Sequence, residues 1–217
     1  LMHNPARDRP GSPRVDLPGG RDLPGGRDLL VRATSVAVQA RGHFAFSPVR
    51  ALRAEEALGA LAWSPDGKLL AAGSYDGPAR VWNAQTGEAL MRLQSDELTT
   101  YAAVYSPDGK LLATSGKKGH VLLWTADGGK RVADLAGHEG PVRGLVFSPD
   151  GKRLASGGAD RTVRVWDVAT GAELVVLRGH EAEVRTVAFS PSGKRLYSGG
   201  VDRSLRVWNP EEATAGY

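Results

Sequence analysis

One five-residue motif, Ser-Pro-Asp-Gly-Lys, recurs at a fixed interval and limits what this chain can fold into. Its copies begin at Ser64, Ser106, Ser148 and Ser190, the last with serine in place of aspartate. A tryptophan follows each copy at the same distance, at Trp82, Trp124, Trp166 and Trp208. Both series advance by 42 residues without an insertion. A strict period of this length indicates a repeat architecture.

Each repeat is predicted to form four short antiparallel strands. In the third repeat, residues 142–147 are rich in β-branched and apolar types, and residues 162–166 alternate between valine or tryptophan and arginine. Pro149, Asp150 and Gly151 supply the chemistry of a tight turn between strands. Residues 153–156 and 173–177 complete the set. One such sheet cannot bury both faces alone, so neighbouring repeats must stack.

The motifs resemble the WD40 repeat of β-propeller proteins. The likeness rests on Gly137-His138, on the turn at Ser148, and on Trp166-Asp167, and it recurs from Gly179-His180 to Trp208. It implies an all-β WD40 β-propeller of about four blades with four antiparallel strands each, over residues 54–217. The uniform repeats are similar to those of bacterial WD40 proteins.

Four blades are fewer than the seven or eight that the resemblance implies, so we expect a partial propeller. Three interpretations stay open: a piece of a longer protein, which we favour; a chain that pairs with another to complete a ring; or a four-bladed ring or open arc. No outer strand follows Trp208 in the sequence. The resemblance implies that an N-terminal strand, for which residues 49–52 are available, completes the last blade.

Residues 1–33 are predicted to be a disordered leader rich in proline, glycine and arginine. Residues 34–53 are interpreted as a decayed blade or a closing strand. Residues 1–53 carry nine arginines and four aspartates, a net charge of +5, whereas the rest of the chain has 19 basic and 20 acidic residues. Binding of nucleic acid or an acidic partner through this leader is therefore an alternative function, although we expect a solvated linker.

The composition excludes several classes of protein. There is no cysteine, so no disulfide framework or thiol chemistry is available. No apolar run reaches the length that a membrane span needs. No phosphate loop, dinucleotide fingerprint or paired-carboxylate motif is present, and His120 has no second histidine in phase. We expect a cytoplasmic protein with no cofactor, metal or membrane association.

Histidine, serine, aspartate and tryptophan recur together in the last two repeats. The resemblance implies that they form a structural hydrogen-bond network, because the indole N–H needs an acceptor and a serine hydroxyl can serve. A nucleophile is needed once, so two successive copies argue against catalysis. The two networks are His138, Ser156, Asp160 and Trp166, and His180, Ser198, Asp202 and Trp208.

The first two repeats depart from this pattern. Histidine is replaced by Ala54 and Asp96, and serine by Ala72 and Thr114; Asp76 and Lys118 stand at the aspartate position. Of these only Thr114 and Asp76 fit the network. We therefore expect Trp82 to lack its partner and the first two blades to be the softer half.

The remaining candidates for function lie on the surface. We expect a non-catalytic scaffold that presents a propeller face to a protein or peptide. A regulatory C-terminal part of a larger signalling enzyme is a third hypothesis, and self-association would complete a ring. The positions that resemble the family's contact sites, and whose residues suit an interface, are Tyr75, Thr99, Tyr101, Lys117, Arg143, Glu183 and Arg185.

Overall fold

A computed structural model describes residues 57–94 and 99–210 of the chain. These residues belong to one compact unit, His43–Tyr217, and over the described ranges the regular elements are all β-strands. The predicted leader (1–33), the decayed blade or closing strand (34–53, including 49–52) and the chain end after Pro210 lie outside the described residues.

The strands form four antiparallel sheets, called here blades 1 to 4. The all-β prediction is confirmed, and three blades have four strands. Blade 4 has three strands within the described residues.

Blade 1 contains β1 (Leu58–Trp63), β2 (Leu69–Ser74), β3 (Ala79–Asn83) and β4 (Ala89–Leu93). Blade 2 contains β5 (Thr100–Tyr105), β6 (Leu111–Gly116), β7 (His120–Thr125) and β8 (Arg131–Ala136). Blade 3 contains β9 (Val142–Phe147), β10 (Arg153–Gly158), β11 (Thr162–Asp167) and β12 (Glu173–Arg178). Blade 4 contains β13 (Val184–Phe189), β14 (Leu196–Gly200) and β15 (Leu205–Trp208).

The recurrent motif forms the turn between the first two strands of each blade. The Ser148 hydroxyl donates to the Asp150 carboxylate at 2.5 Å, and the backbone N–H of Lys152 donates to the same carboxylate oxygen at 3.1 Å. Gly151 has a φ of +72°, which a residue with a Cβ rarely adopts. The corresponding hydrogen bonds form in the turns of blades 1 and 2. The motif therefore recurs once per blade because each copy makes the same turn.

Adjacent blades pack face to face, with the first strands in the order β1, β5, β9, β13. We call the side of a blade that contacts the following blade its forward face, and the opposite side its rear face. Between blades 1 and 2 the forward face supplies Val81 and Leu93, and the rear face of blade 2 supplies Tyr105, Leu112 and Trp124. Residues at the same repeat positions fill the next two interfaces. Burying each such side chain contributes about 1.5 to 3 kcal/mol.

Candidate interaction surface

His138 lies in a buried hydrogen-bond chain that crosses blade 3. The indole N–H of Trp166 donates to the Ser156 hydroxyl at 2.8 Å, and that oxygen lies 2.8 Å from Nε2 of His138. Nδ1 of His138 lies 2.9 Å from a carboxylate oxygen of Asp160. With the ring proton on Nδ1, the serine donates to the imidazole and the imidazole donates to the aspartate. Each of the four groups is therefore satisfied.

Blade 4 repeats this geometry. The Trp208 indole donates to Ser198 at 2.8 Å, Ser198 lies 2.7 Å from Nε2 of His180, and Nδ1 of His180 lies 2.8 Å from Asp202. Both sets of sequence-predicted residues are thus brought together. Neither arrangement resembles a usable nucleophile, because Ser156 is fully buried and its hydroxyl oxygen already accepts a hydrogen bond from an indole.

The aspartates of these networks stay ionised. Burial by itself would raise the pKa of Asp160, but hydrogen bonds from His138 and Thr162, with the attraction of the histidine, outweigh it and hold that pKa well below its usual range. Burial also opposes ionisation of Asp202. Hydrogen bonds from the backbone N–H groups of Ser204 and Glu181 and from His180 outweigh this effect, so the pKa of Asp202 is lowered like that of Asp160.

Sequence reasoning missed a fifth member of each network. The hydroxyl of Thr162 donates to Asp160 at 2.8 Å, and the hydroxyl of Ser204 donates to Asp202 at 2.8 Å. The signal was available, because both repeats carry a hydroxyl residue two positions after the aspartate, and such residues commonly bond locally in turns. These hydroxyls fix the carboxylates that face the histidines.

Blades 1 and 2 lack the full network. In blade 2 the Trp124 indole donates to Thr114 at 2.8 Å. A water-sized cavity lies beside Thr114 and His120, which are the counterparts of the residues that contact the histidine in blade 3. In blade 1, Ala72 stands at the serine position, and no acceptor for the Trp82 indole is found among residues 57–94 and 99–210.

The loop end of the blades carries a connected row of side chains. At this end, the turn between the second and third strands of a blade is bonded to the start of its first strand. The backbone N–H groups of Tyr75, Ala159 and Val201 each donate to the carbonyl of the residue that immediately precedes the first strand of the same blade. The Tyr75 and Tyr101 rings lie 6.0 Å apart, and the Arg143 guanidinium lies 3.9 Å above the Tyr101 ring. The row therefore crosses from blade 1 to blade 3.

Glu183 continues the row into blade 4. Nε of Arg143 donates to one of its carboxylate oxygens at 2.8 Å, and Arg185 approaches the other at 3.0 Å. We call Tyr75, Tyr101, Arg143, Glu183 and Arg185 the tyrosine–arginine row. Sequence analysis selected all five residues but not their contacts, because the contacts depend on the offset between adjacent blades.

The two other predicted surface residues lie outside this row. Thr99 lines the small cavity of blade 2, and Lys117 is exposed in the turn between β6 and β7. His120, considered as a lone metal ligand, instead contacts Asp134 through Nδ1 at 2.6 Å. Over the described ranges no group of three or more acidic, histidine or cysteine side chains is placed to hold a metal ion.

Comparison with known proteins decides the family. The WD domain, G-beta repeat family matches residues 37–83, 92–125, 129–167 and 171–209, well over half of the chain. This chain is a WD40-repeat protein. The predicted family and its four repeats are confirmed, although the first matched repeat begins before residue 54. Proteins with WD40 repeats are typically non-catalytic and generally mediate protein–protein interaction.

A solved structure shares the architecture of this WD40-repeat protein. The crystal structure of the computationally designed Ika4 protein is 29% identical, with a TM-score of 0.65, over 72% of this chain and 93% of that chain. No curated protein matches the sequence. Within residues 57–94 and 99–210, no helix is long and apolar enough to cross a membrane.

Proposed function

We propose that this WD40-repeat protein is a non-catalytic scaffold that binds a protein or peptide through the tyrosine–arginine row. The observation that carries the proposal is the continuity of the row, which joins one residue or more from each of the four blades by stacking and ion pairing. Tyrosine and arginine are the residue types that dominate binding energy at protein interfaces.

The row is preorganised for contact with a partner. The Tyr75 ring lies over Gly59, where a Cβ would come within 2.8 Å of the ring, so the glycine makes room for it. Glu183 holds two guanidinium groups, which limits the side-chain entropy lost on binding. The ends of the row remain accessible, since 48% of Tyr75 and 57% of the Arg185 side chain are exposed.

This arrangement favours an extended peptide with an apolar or aromatic side chain and an acidic group. The apolar side chain would pack against the tyrosines of blades 1 and 2. The carboxylate would pair with Arg185, whose guanidinium has five N–H donors and therefore keeps several free of Glu183. Lys117 is exposed at the turn position of blade 2 that corresponds to Tyr75 in blade 1, and it adds positive charge to the loops at this end of the blades.

A peptide-display library tests the proposal. Peptides enriched on the wild-type chain would be synthesised with a fluorophore, and their affinities measured by polarisation for wild type, Tyr75→Ala and Arg185→Ala. We expect each substitution to weaken binding at least tenfold, because each removes an accessible end of the row. Val132→Ala, on exposed outer strand β8, is the matched control and should bind like wild type. Peptides that bind all four chains equally would refute the proposal.

The alternative roles stay predictions. Nucleic-acid or acidic-partner binding by the arginine-rich leader concerns residues outside the described ranges, as does membership of a larger signalling enzyme. Nothing in the geometry of blades 1 to 4 favours either of them over the scaffold.

A further inference from the structure

The forward face of blade 4 exposes positions that are buried in every other blade. Leu205 is 71% exposed, whereas its counterparts Val163 and Val121 are fully buried. Val207 is 51% exposed, against 1% for Val165 at the same repeat position. In blades 1 to 3 these positions pack against the rear face of the following blade.

The rear face of blade 1 shows the matching exposure along its first strand, β1, whereas Trp82 on β3 of the same face is buried. Trp63 is 60% exposed, whereas the aromatic residues at the same position, Tyr105 and Phe147, are 6% and 5% exposed. Leu61, two residues earlier on β1, is also exposed. The described series of blades thus has an apolar face at each end: the rear face of blade 1 and the forward face of blade 4.

These faces are complementary because the interior interfaces repeat with the same register. A Cβ placed on Gly109, Gly151 or Gly193 would lie 3.5 to 3.7 Å from the Cδ of the turn proline of the preceding blade. At Gly67, the equivalent glycine of blade 1, nothing lies within 4 Å. Pro191 is the turn proline of blade 4, and it is the residue that the repeat would place against Gly67.

A cation–aromatic pair extends the match. Between blades 3 and 4 the Arg153 guanidinium lies 5.6 Å from the centre of the Phe189 ring and donates to the Gly193 carbonyl at 3.1 Å. One repeat later the corresponding residues are Arg195, which is exposed, and Trp63. Tryptophan is the best ring for such a contact, so this pairing is at least as favourable as the interior one.

We propose that two copies of this chain associate head to tail, with the forward face of blade 4 in each copy packed on the rear face of blade 1 in the other. The interface would reproduce the interior blade contacts, including Leu205 and Val207 against the strand that carries Trp63. Two such interfaces close a two-fold symmetric ring of eight blades, which lies within the range that propellers adopt.

Light scattering after gel filtration of the full chain tests the proposal. We expect a discrete species of about 46 kDa, twice the 23.0 kDa of one chain. Leu205→Arg and Trp63→Glu should each give 23 kDa species, since each blocks both interfaces. Mixing the two variants should restore a dimer, because one intact pair of faces remains. A wild-type monomer, a series of larger open assemblies, or a dimer that survives either substitution would overturn the proposal.

A cysteine pair gives a readout that does not depend on charged substitutions. A Cβ at Gly157 would lie 3.2 Å from Cγ1 of Val187 in the next blade, and the corresponding residues across the proposed interface are Gly199 and Leu61. Because the chain has no cysteine, Gly199→Cys with Leu61→Cys reports this contact alone. We expect a disulfide-linked dimer under mild oxidation. Gly199→Cys with Val132→Cys is the control and should not cross-link. An intrachain disulfide at 23 kDa would mean that one chain closes on itself, against the proposal.

Discussion

Blades 3 and 4 differ from blades 1 and 2 in how they hold the tryptophan of the third strand. In the last two blades the indole begins a chain of serine, histidine and aspartate, whereas blade 2 retains one bond from Trp124 to Thr114. Blade 1 has alanine at the acceptor position. Yet Trp82 pairs with Leu70 in blade 1 as Trp166 pairs with Leu154 in blade 3, so the second and third strands have the same register in both blades. The network is therefore not what builds a blade; we infer that it stabilises one already formed.

The largest expected difference between the halves comes from removing the central hydroxyl. Ser156→Ala leaves both Trp166 and His138 with an unpaired buried group and should lower the free energy of unfolding by about 2 to 4 kcal/mol. Thr114→Ala leaves only Trp124 unpaired and should cost about 1 to 3 kcal/mol. Urea denaturation followed by tryptophan fluorescence measures both. Equal costs would show that the histidine adds nothing to the serine.

The pH dependence of blade 3 sharpens the comparison. Because the folded-state pKa of Asp160 is lowered, its stabilising contribution is complete above the unfolded pKa of about 3.9 and is lost progressively as the pH falls from there through the folded-state pKa. Asp160→Asn should therefore cost on the order of 2 kcal/mol at pH 7 and less at pH 3, where part of the contribution remains. Asp76→Asn is the control, since its repeat has no histidine. A constant gap between wild type and Asp160→Asn from pH 7 to pH 3 would contradict this account.

Blade 1 offers the reverse experiment. Ala72→Ser places a hydroxyl where Ser156 stands in blade 3 and should raise the free energy of unfolding by about 0.5 to 1.5 kcal/mol, because Trp82 gains an acceptor. The same substitution made with Trp82→Phe should bring no gain, since phenylalanine has no N–H to donate. A gain that persists in the double variant would assign the effect to something other than the indole.

The smallest expected effect lies in the turn of blade 4. There Ser192 replaces aspartate, and its hydroxyl lies 3.2 Å from that of Ser190, whereas the corresponding distance in blade 3 is 2.5 Å, to a carboxylate. Ser192→Asp should stabilise the chain by about 0.5 to 1 kcal/mol, and Asp150→Ser should destabilise it similarly. Thermal unfolding of the two variants checks the pair. A Ser192→Asp variant less stable than wild type, or an Asp150→Ser variant more stable than wild type, would refute this role for the turn carboxylate.

Much of the fold was predictable from the sequence because the repeat period and the turn chemistry act locally. The four copies of Ser-Pro-Asp-Gly-Lys mark the turns, and residues 162–166 mark a strand, although the structure buries both of its faces, with Val163 and Val165 on one side and Trp166 on the other. The Trp124–Thr114 bond followed from the position of a hydroxyl one repeat before Ser156.

Other features could not be predicted, because they depend on neighbours in space. The stacking of Arg143 on Tyr101 and the bridging by Glu183 require the offset between blades, which spacing within a repeat does not contain. The exposure of Trp63 and Leu205 depends on which blades stand beside them. Their residue types are those of buried positions, so the sequence alone predicts burial.

Native-state hydrogen exchange tests the central difference between the halves most directly. The measurement compares the backbone amides of β3 and β7 with those of β11, because each of these tryptophan-bearing strands is hydrogen-bonded on both sides within a four-stranded blade. The satisfied network of blade 3 should make β11 open less often, so its amides should exchange at least tenfold more slowly than those of β3 and β7. Equal protection in the three strands would show that the histidine network does not make blade 3 more rigid than blades 1 and 2.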